Sequence, residues 1–574
     1  MSTEQIGMPS RRRILGGAAA LGAGAVVTVG AGPALAAPRP PAGTPAPAVP
    51  GAVPQPGPAP EFGAATVTPA DARYRDLVRG MNQRWVGSPE SVRVVDSTAQ
   101  VLAVVQEAAR AGKKLTVHSG GHCYEDFVFN ASTRIVLDMS EMTSVSWDDR
   151  FKAFAVEAGA TLLDVYERLY KVWGVTVPGG MCYSVGAGGH VSGGGWGMLA
   201  REHGLIVDHL YAVEVVTVDA AGTARVVVAT REPNDPERDL WWAHTGGGGG
   251  NFGVITRYWF RSPKAVGTAP GQALLRPPAE VFISAISWDW AQVTEAALTR
   301  LTRNFGAWHV ANSAPGGPYG GLMSFLKLNH RSNGQIGLLT QMDATVPNAE
   351  QLLHDFIAAV TEGVDIPTGP VTTAMGEHGP MPEYYTPQRM PWLQSARYLG
   401  TTNSTLVDPS LRGDYKSAFH KRNLTDAQIA TFWKHLTRTD LDNPGAMVLL
   451  SSYGGAVNAV APGATATVHR DSVFKLLFQS YWPSAADDAV NIGWLRDAYE
   501  ETYRTTGGVP VPGDTTDGCY VNYCDIDLND PQHNRSGVPW YTLYYGANYP
   551  RLQQVKAKYD PKDRFNHGQS IRLP

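Results

Sequence analysis

From Val92 to Val216 short apolar runs alternate with stretches of helical period. Residues 97–111 (STAQVLAVVQEAARA) read as an amphipathic helix, with Ser97 as N-cap and Gly112 as the stop. Residues 114–118 read as a strand that enters the small-residue turn Ser119-Gly120-Gly121-His122. Residues 134–138 (RIVLD) and 154–157 are two more short strands, 162–172 is a helix, and 209–219 is strand-rich and closed by a turn at Ala221-Gly222. Further on, about 263–514, long glycine runs disappear. There the pattern predicts amphipathic helices over 283–305, 350–362 and 484–506, and strands over 322–328, 335–342 and 446–453. Runs of strands with helices on one side predict an α+β lobe built on an antiparallel sheet. The last 60 or so residues return to motif-rich sequence, and no internal repeat is found.

The chain has 574 residues, 43% of them apolar, enough for two or three domains or one large two-lobed enzyme. Its net charge of -4 and pI near 6.4 exclude the basic profile of a nucleic-acid-binding protein. The N-terminus changes the picture more. Ser10-Arg11-Arg12-Arg13-Ile14-Leu15 precedes an Ala/Gly/Val-rich stretch, and Ala34-Leu35-Ala36 offers a small-residue cleavage site. Residues 1–36 thus resemble a twin-arginine (Tat) export signal, the alternative being an uncleaved membrane anchor. A Pro/Ala/Gly-rich linker follows to about residue 70, and the fold is expected to begin between Tyr74 and Trp85. The expected product is a secreted protein without a membrane partner after cleavage.

Four cysteines are present: Cys123, Cys182, Cys519 and Cys524. No CxxC pair exists, so no zinc site is predicted. His118 and His122 stand four apart, but Ser119-Gly120-Gly121 between them reads as a turn and supplies no Glu. Two disulfides are the plain alternative in an exported chain. Read as a strand, 519–524 places Cys519 and Cys524 on opposite faces, which argues against their pairing with each other.

The 62 glycines are clustered rather than spread. Gly179, Gly180, Gly186, Gly188, Gly189, Gly193, Gly194, Gly195 and Gly197 crowd into one segment, which no ordinary helix or strand tolerates. Such a segment wraps a ligand with its backbone, and a dinucleotide is the natural candidate. It is not a Rossmann fingerprint, because no G-x-G-x-x-G follows a strand with an acidic residue about 20 positions on. The turn Ser119-Gly120-Gly121-His122 exposes successive backbone N–H groups fit to cradle a pyrophosphate, although such a turn is also simply a turn. Gly246 to Gly250, entering Asn251-Phe252-Gly253-Val254, forms a third block. Tyr520-Val521-Asn522-Tyr523 is a fourth, and Tyr544-Tyr545-Gly546-Ala547-Asn548-Tyr549 with Gln569-Ser570-Ile571 a fifth.

In this order the five blocks resemble the berberine bridge enzyme-like group of the FAD-linked oxidase (vanillyl-alcohol oxidase/PCMH) superfamily, over about Trp85 to Ile571. Secreted sugar and natural-product oxidases are the nearest in character. The resemblance implies an α+β, two-lobed fold. A PCMH-type FAD lobe would span 71–262 and 515–574, and a substrate lobe 263–514. It implies FAD attached covalently, His122 to the flavin 8α carbon and Cys182 to C6, with Cys123 a bystander. Ser119, Gly120, Gly121, Val185, Gly186, Gly188, Gly189, His190, Gly193, Gly253, Val254, Asn522 and Tyr523 would line the cofactor. Tyr523, the second Tyr of Y-x-N-Y, would be the general base, with Tyr453 the next candidate. Tyr453 and Gln479 fall at substrate-side positions, and Trp196 stands where some members have a substrate-binding Tyr. Val185, three after the attachment Cys, would line the pocket where O2 meets the reduced flavin.

The function this implies is oxidation of a secondary alcohol, on a sugar or glycosylated natural product, with O2 as acceptor and H2O2 as product. The alternatives are a dehydrogenase or oxidative cyclase with the same cofactor, and a flavin-bearing protein that sequesters a drug-like molecule.

Overall fold

In the computed structural model, residues 63–402 and 408–574 are described. The segment expected to be an export signal, and most of the expected linker, lie outside the described residues.

Four strands build the first sheet: β1 (Ala65–Val67), β2 (Ser91–Val94), β3 (Leu115–His118) and β4 (Ile135–Asp138), in the order β1-β2-β4-β3. β2 and β3 run parallel to β4, and β1 is antiparallel to β2. β1 lies inside the stretch expected to be linker, and the paired fold starts before Tyr74. Its signal is only three residues, Ala65-Thr66-Val67, one of them buried, which is too short for periodicity to register. The crossover from β2 to β3 is the helix Thr98–Ala111. Ser97 caps it by accepting from Gln100 N, and Gly112 ends it in the left-handed region at φ 62°.

The second sheet is antiparallel: β5 (Val145–Asp148), β6 (Ala153–Glu157), β7 (Leu210–Val218), β8 (Ala224–Thr230) and β9 (Val254–Phe260), ordered β5-β6-β9-β7-β8. Between β6 and β7 run the helix Leu162–Trp173, opened by a Thr161/Asp164 capping box, and the glycine-rich segment.

The third sheet holds eight strands: β10 (Glu280–Asp289), β11 (Leu322–Asn329), β12 (Gln335–Asp343), β13 (Gly369–Pro370), β14 (Gln388–Pro391), β15 (Arg412–His420), β16 (Met447–Ser452) and β17 (Phe474–Trp482). They are ordered β13-β10-β12-β11-β16-β17-β15, with β14 also on β10, and every pairing is antiparallel. The helices Glu295–Asn312, Ala349–Thr361, Asp426–Leu436 and Asp488–Thr502 accompany it. The protein is therefore α+β, with mixed and antiparallel sheets.

One predicted helix is corrected. Residues 283–305 divide into strand β10 and a helix that starts only at Glu295, with Thr294 capping it. β10 is buried along nearly its whole length, so its apolar run has no alternation to distinguish it from a buried helix.

The C-terminal residues return to the first two sheets. The helix Tyr549–Tyr559 is fixed by Lys556, whose ammonium is fully buried and donates to Asp560 Oδ2 (2.7 Å), Phe565 O (2.6 Å) and Asn251 O (2.8 Å).

Candidate active site

A cavity of about 1980 Å³, its open mouth included, gathers residues from all five glycine and tyrosine blocks. The turn after β3 contributes Ser119 to Tyr124, and the glycine-rich segment contributes Cys182, Val185, Gly186, Gly188, Gly189, His190 and Trp196. Gly248 to Asn251 and Gly253 also line it, as do Tyr520 to Cys524 and, from the fifth block, Tyr544, Tyr545 and Gln569. The eight-stranded sheet and its loops add Tyr415 and Glu377.

The first two blocks meet backbone to backbone. A Cβ on Gly186 would lie 2.1 Å from Ser119 Oγ, and one on Gly120 would lie 2.2 Å from Gly186 N. Ser119 is held by a bond from its hydroxyl to Ala158 O (2.7 Å). Gly189 differs: it lines the cavity, and a Cβ there would meet nothing within 4 Å. Open space over bare backbone, at the start of the short helix Ala187–Ser192, is a cradle fit for a flat dinucleotide such as FAD.

His122 and Cys182 both face this space. His122 Nε2 shares a 2.9 Å hydrogen bond with Ser184 Oγ. Burial pushes the imidazole down to about 4, so at neutral pH it keeps a nucleophilic lone pair. The Cys182 thiol donates to Glu377 Oε2 (3.0 Å), and burial, reinforced by that carboxylate, pushes it well above the usual thiol range. His190 accepts from Gly180 N at Nε2 (2.9 Å), which fixes its tautomer.

Asn522 joins the C-terminal block to the glycine segment. Its amide donates to His190 O and to the Tyr520 hydroxyl, both at 3.0 Å. Gly193 lies outside the cavity lining, because it packs against Asn522: a Cβ there would sit 1.9 Å from Asn522 Oδ1. Val254 also lies outside, buried at the start of β9.

Tyr523 lies in the cavity, and Lys475 of β17 donates to its hydroxyl at 3.2 Å. Lys475 Nζ is also 3.6 Å from the Trp196 ring centroid and 4.4 Å from that of Tyr523. Burial raises Tyr523 well above the usual phenol range and lowers Lys475 well below the usual amine range. Lys475 and Glu377 were not singled out from sequence. A signal for the first was present, a lysine within the strand FKLLFQSYW, every residue of which is buried.

Two expected substrate-side residues lie elsewhere. Tyr453 is 1% exposed, donates to His469 O (3.1 Å) and packs on Phe419, so its hydroxyl is already used inside the core. Gln479 is buried in β17, where Gly376 closes over it: a Cβ on that glycine would lie 2.8 Å from Gln479 Nε2. Neither is among the residues lining the cavity. The expected strand at 519–524 is instead a turn, in which Tyr523 N donates to Tyr520 O (2.9 Å). Cys524 Sγ lies 4.0 Å from Cys123 Sγ, while Cys519 contacts the Tyr499 hydroxyl.

Two family models match the chain: an FAD binding domain at residues 89–227 and a "berberine and berberine like" segment at 519–572. The aclacinomycin-N/aclacinomycin-A oxidase of Streptomyces galilaeus is 47% identical over 570 residues, covering 98% of both chains. The hexose oxidase of Chondrus crispus is 32% identical, over 89% of this chain and 95% of its own. Among solved structures, a glycopeptide hexose oxidase complexed with teicoplanin superposes with a TM-score of 0.83 at 45% identity, over 90% of this chain and all of that one. The chain with this cavity therefore belongs to the berberine bridge enzyme-like family and is an FAD-linked oxidoreductase.

Proposed function

We propose that the protein is an exported oxidase that takes a hydride from a secondary alcohol, on a sugar or a glycosylated natural product, with O2 as the final acceptor and H2O2 as product. FAD, when bound, accepts the hydride and supplies the electrons that reduce O2. His122 and Cys182 are the proposed points of attachment, at the flavin 8α carbon and C6, and the glycine blocks hold the dinucleotide by backbone contacts. The FAD lobe is taken as 71–262 with 515–574, and the substrate lobe as 263–514.

The observation that carries the reading is the Tyr523–Lys475 pair: Tyr523 lines the cavity that also holds both proposed attachment residues, and buried Lys475 bonds its hydroxyl. A neutral phenol cannot by itself accept a proton. A neutral Lys475 amine beside it can take the phenol proton as Tyr523 removes one from the substrate hydroxyl, so the two act as one base. Trp196 closes one side of Lys475 and keeps water from it. The relatives support the substrate class: the names of two carry hexose oxidation, and a third is named as an oxidase of aclacinomycin.

The test is a screen of mature protein for H2O2 release against sugars, aminoglycosides and glycosylated aromatic compounds. Turnover with at least one glycoside is expected. Reduction of the enzyme by a donor without peroxide in air would favour a dehydrogenase. For export, R11K together with R12K is expected to retain the protein inside the cell. Among the described residues no helix is long and apolar enough to cross a membrane.

A further inference from the structure

Glu377 comes from the substrate lobe, yet it reaches the sulfur of a residue in the FAD lobe. Its Oε2 accepts from Cys182 Sγ at 3.0 Å. Its Oε1 is already engaged, accepting from the Tyr415 hydroxyl (2.8 Å) and the Tyr481 hydroxyl (3.0 Å). These two bonds fix the carboxylate plane and leave the other oxygen aimed at the thiol. Tyr124, which bonds to both tyrosines and stacks on Tyr415 at 3.8 Å between centroids, stiffens the support.

The thiol needs such a neighbour. The nucleophile is the thiolate, and Cys182 sits where burial strongly disfavours it. Other basic groups nearby are committed elsewhere. His122 Nε2 is paired with Ser184 Oγ. Lys327 Nζ is bonded to Met375 O and His378 Nδ1, both at 2.5 Å. Only Glu377 has an acceptor oxygen on the sulfur among the hydrogen bonds of the described residues.

We infer that Glu377 is the general base for the self-attachment of Cys182 to the flavin, a role that rests on the covalent reading above. The Sγ–H bond breaks and its proton passes to Glu377 Oε2 as the Sγ–C6 bond forms. The hydrogen at C6 then leaves as a proton. The two electrons contributed by sulfur stay on the ring, which is reduced, until O2 takes them with two protons to become H2O2. The sum is one thiol, one flavin and one O2 giving one thioether-linked flavin and one H2O2. Once Cys182 is linked, Oε2 loses its hydrogen-bond donor and faces the cavity beside Tyr523.

The experiment follows attachment rather than turnover. Wild type and Glu377→Gln are loaded with FAD, sampled over time, denatured and digested, and flavin on the Cys182 and His122 peptides is quantified by mass spectrometry. Wild type is expected to carry flavin on both peptides. Glu377→Gln is expected to carry it on His122, with attachment at Cys182 slowed about a hundredfold or more. Raising the pH from 7 to 10 is expected to restore the slow link, because bulk base then forms the thiolate. Attachment at the wild-type rate in Glu377→Gln, or a slow link that pH does not restore, overturns the role. Should the Gln protein not fold, Glu377→Asp carries the test, with slower, pH-accelerated linkage expected and a wild-type rate overturning it. An active wild type with no flavin on the Cys182 peptide overturns the covalent reading itself, and the base with it.

Discussion

Lys475 Nζ donates to the Tyr523 hydroxyl across 3.2 Å, joining a strand of the eight-stranded sheet to the turn that follows Cys519. Burial raises the phenol above its usual range and lowers the amine below its own, so it disfavours both the phenolate and the ammonium. Together they hold one movable proton.

Tyr523→Phe keeps the ring and removes the hydroxyl, and kcat is expected to fall by about 10² to 10⁴. Lys475→Met is expected to remove the acid limb of the pH profile. The sign follows from burial. Lys475 is lowered below the usual amine range, so it is neutral and competent above that lowered value, and acidification charges it and stops proton uptake. Activity should therefore rise with pH through a limb well below the ordinary lysine range. A Lys475→Met enzyme with the wild-type profile of kcat/KM against pH would move the base elsewhere.

Covalent attachment is expected to survive denaturation. Acid-precipitated wild type should stay yellow. His122→Ala and Cys182→Ala should each retain colour through the remaining bond, and the double variant should lose it. Wild-type flavin that washes out on precipitation would sink the bicovalent reading.

Val185 lines the cavity, and its backbone is pinned, its carbonyl accepting from Leu162 N at 2.9 Å. A longer side chain there has no backbone shift available to it, so added methylenes must enter the cavity. Val185→Leu and Val185→Ile are expected to slow reoxidation of the reduced enzyme by O2 by orders of magnitude, with anaerobic reduction by substrate little changed. Stopped-flow absorbance of both half-reactions decides it, and equal oxygen rates for wild type and Val185→Leu would remove Val185 as the gatekeeper.

The Lys556–Asp560 pair is fully buried on both sides, and the ammonium also binds the carbonyls of Asn251 and Phe565. Lys556→Met strands a buried carboxylate and frees two carbonyls, at an expected cost of about 3–5 kcal/mol. Thermal unfolding should show a clear drop in Tm, and an unchanged Tm would contradict the anchoring role.

What was legible in the sequence was what has a local cause. Ser97 and Gly112 bound their helix because capping is decided within a turn of backbone. The glycine blocks pointed to the cofactor cradle because so many residues without side chains have few other uses. Residues 283–305 misled because a strand buried on both faces loses its period-two signature, and the helix start is marked only by Thr294, whose hydroxyl accepts from Ala297 N. Tyr453 and Gln479 were placed by family position alone, and their surroundings, His469 for one and Gly376 for the other, are long-range contacts that no local pattern encodes. Glu377 was silent for the same reason: its meaning depends on Cys182, 195 residues away.

The approach of Gly193 to Asn522 has a practical side. With 1.9 Å between the amide oxygen and the place of an absent methyl, the glycine segment and the C-terminal turn are shaped to each other like a lock and its key blank. Anyone shuffling segments among relatives to alter donor preference would have to move both stretches as one parcel. The intervening 263–514 region is tied to both, through Glu377 on Cys182 and Lys475 on Tyr523. A graft that replaced only the last 60 residues would bring in a turn cut to another protein's glycines.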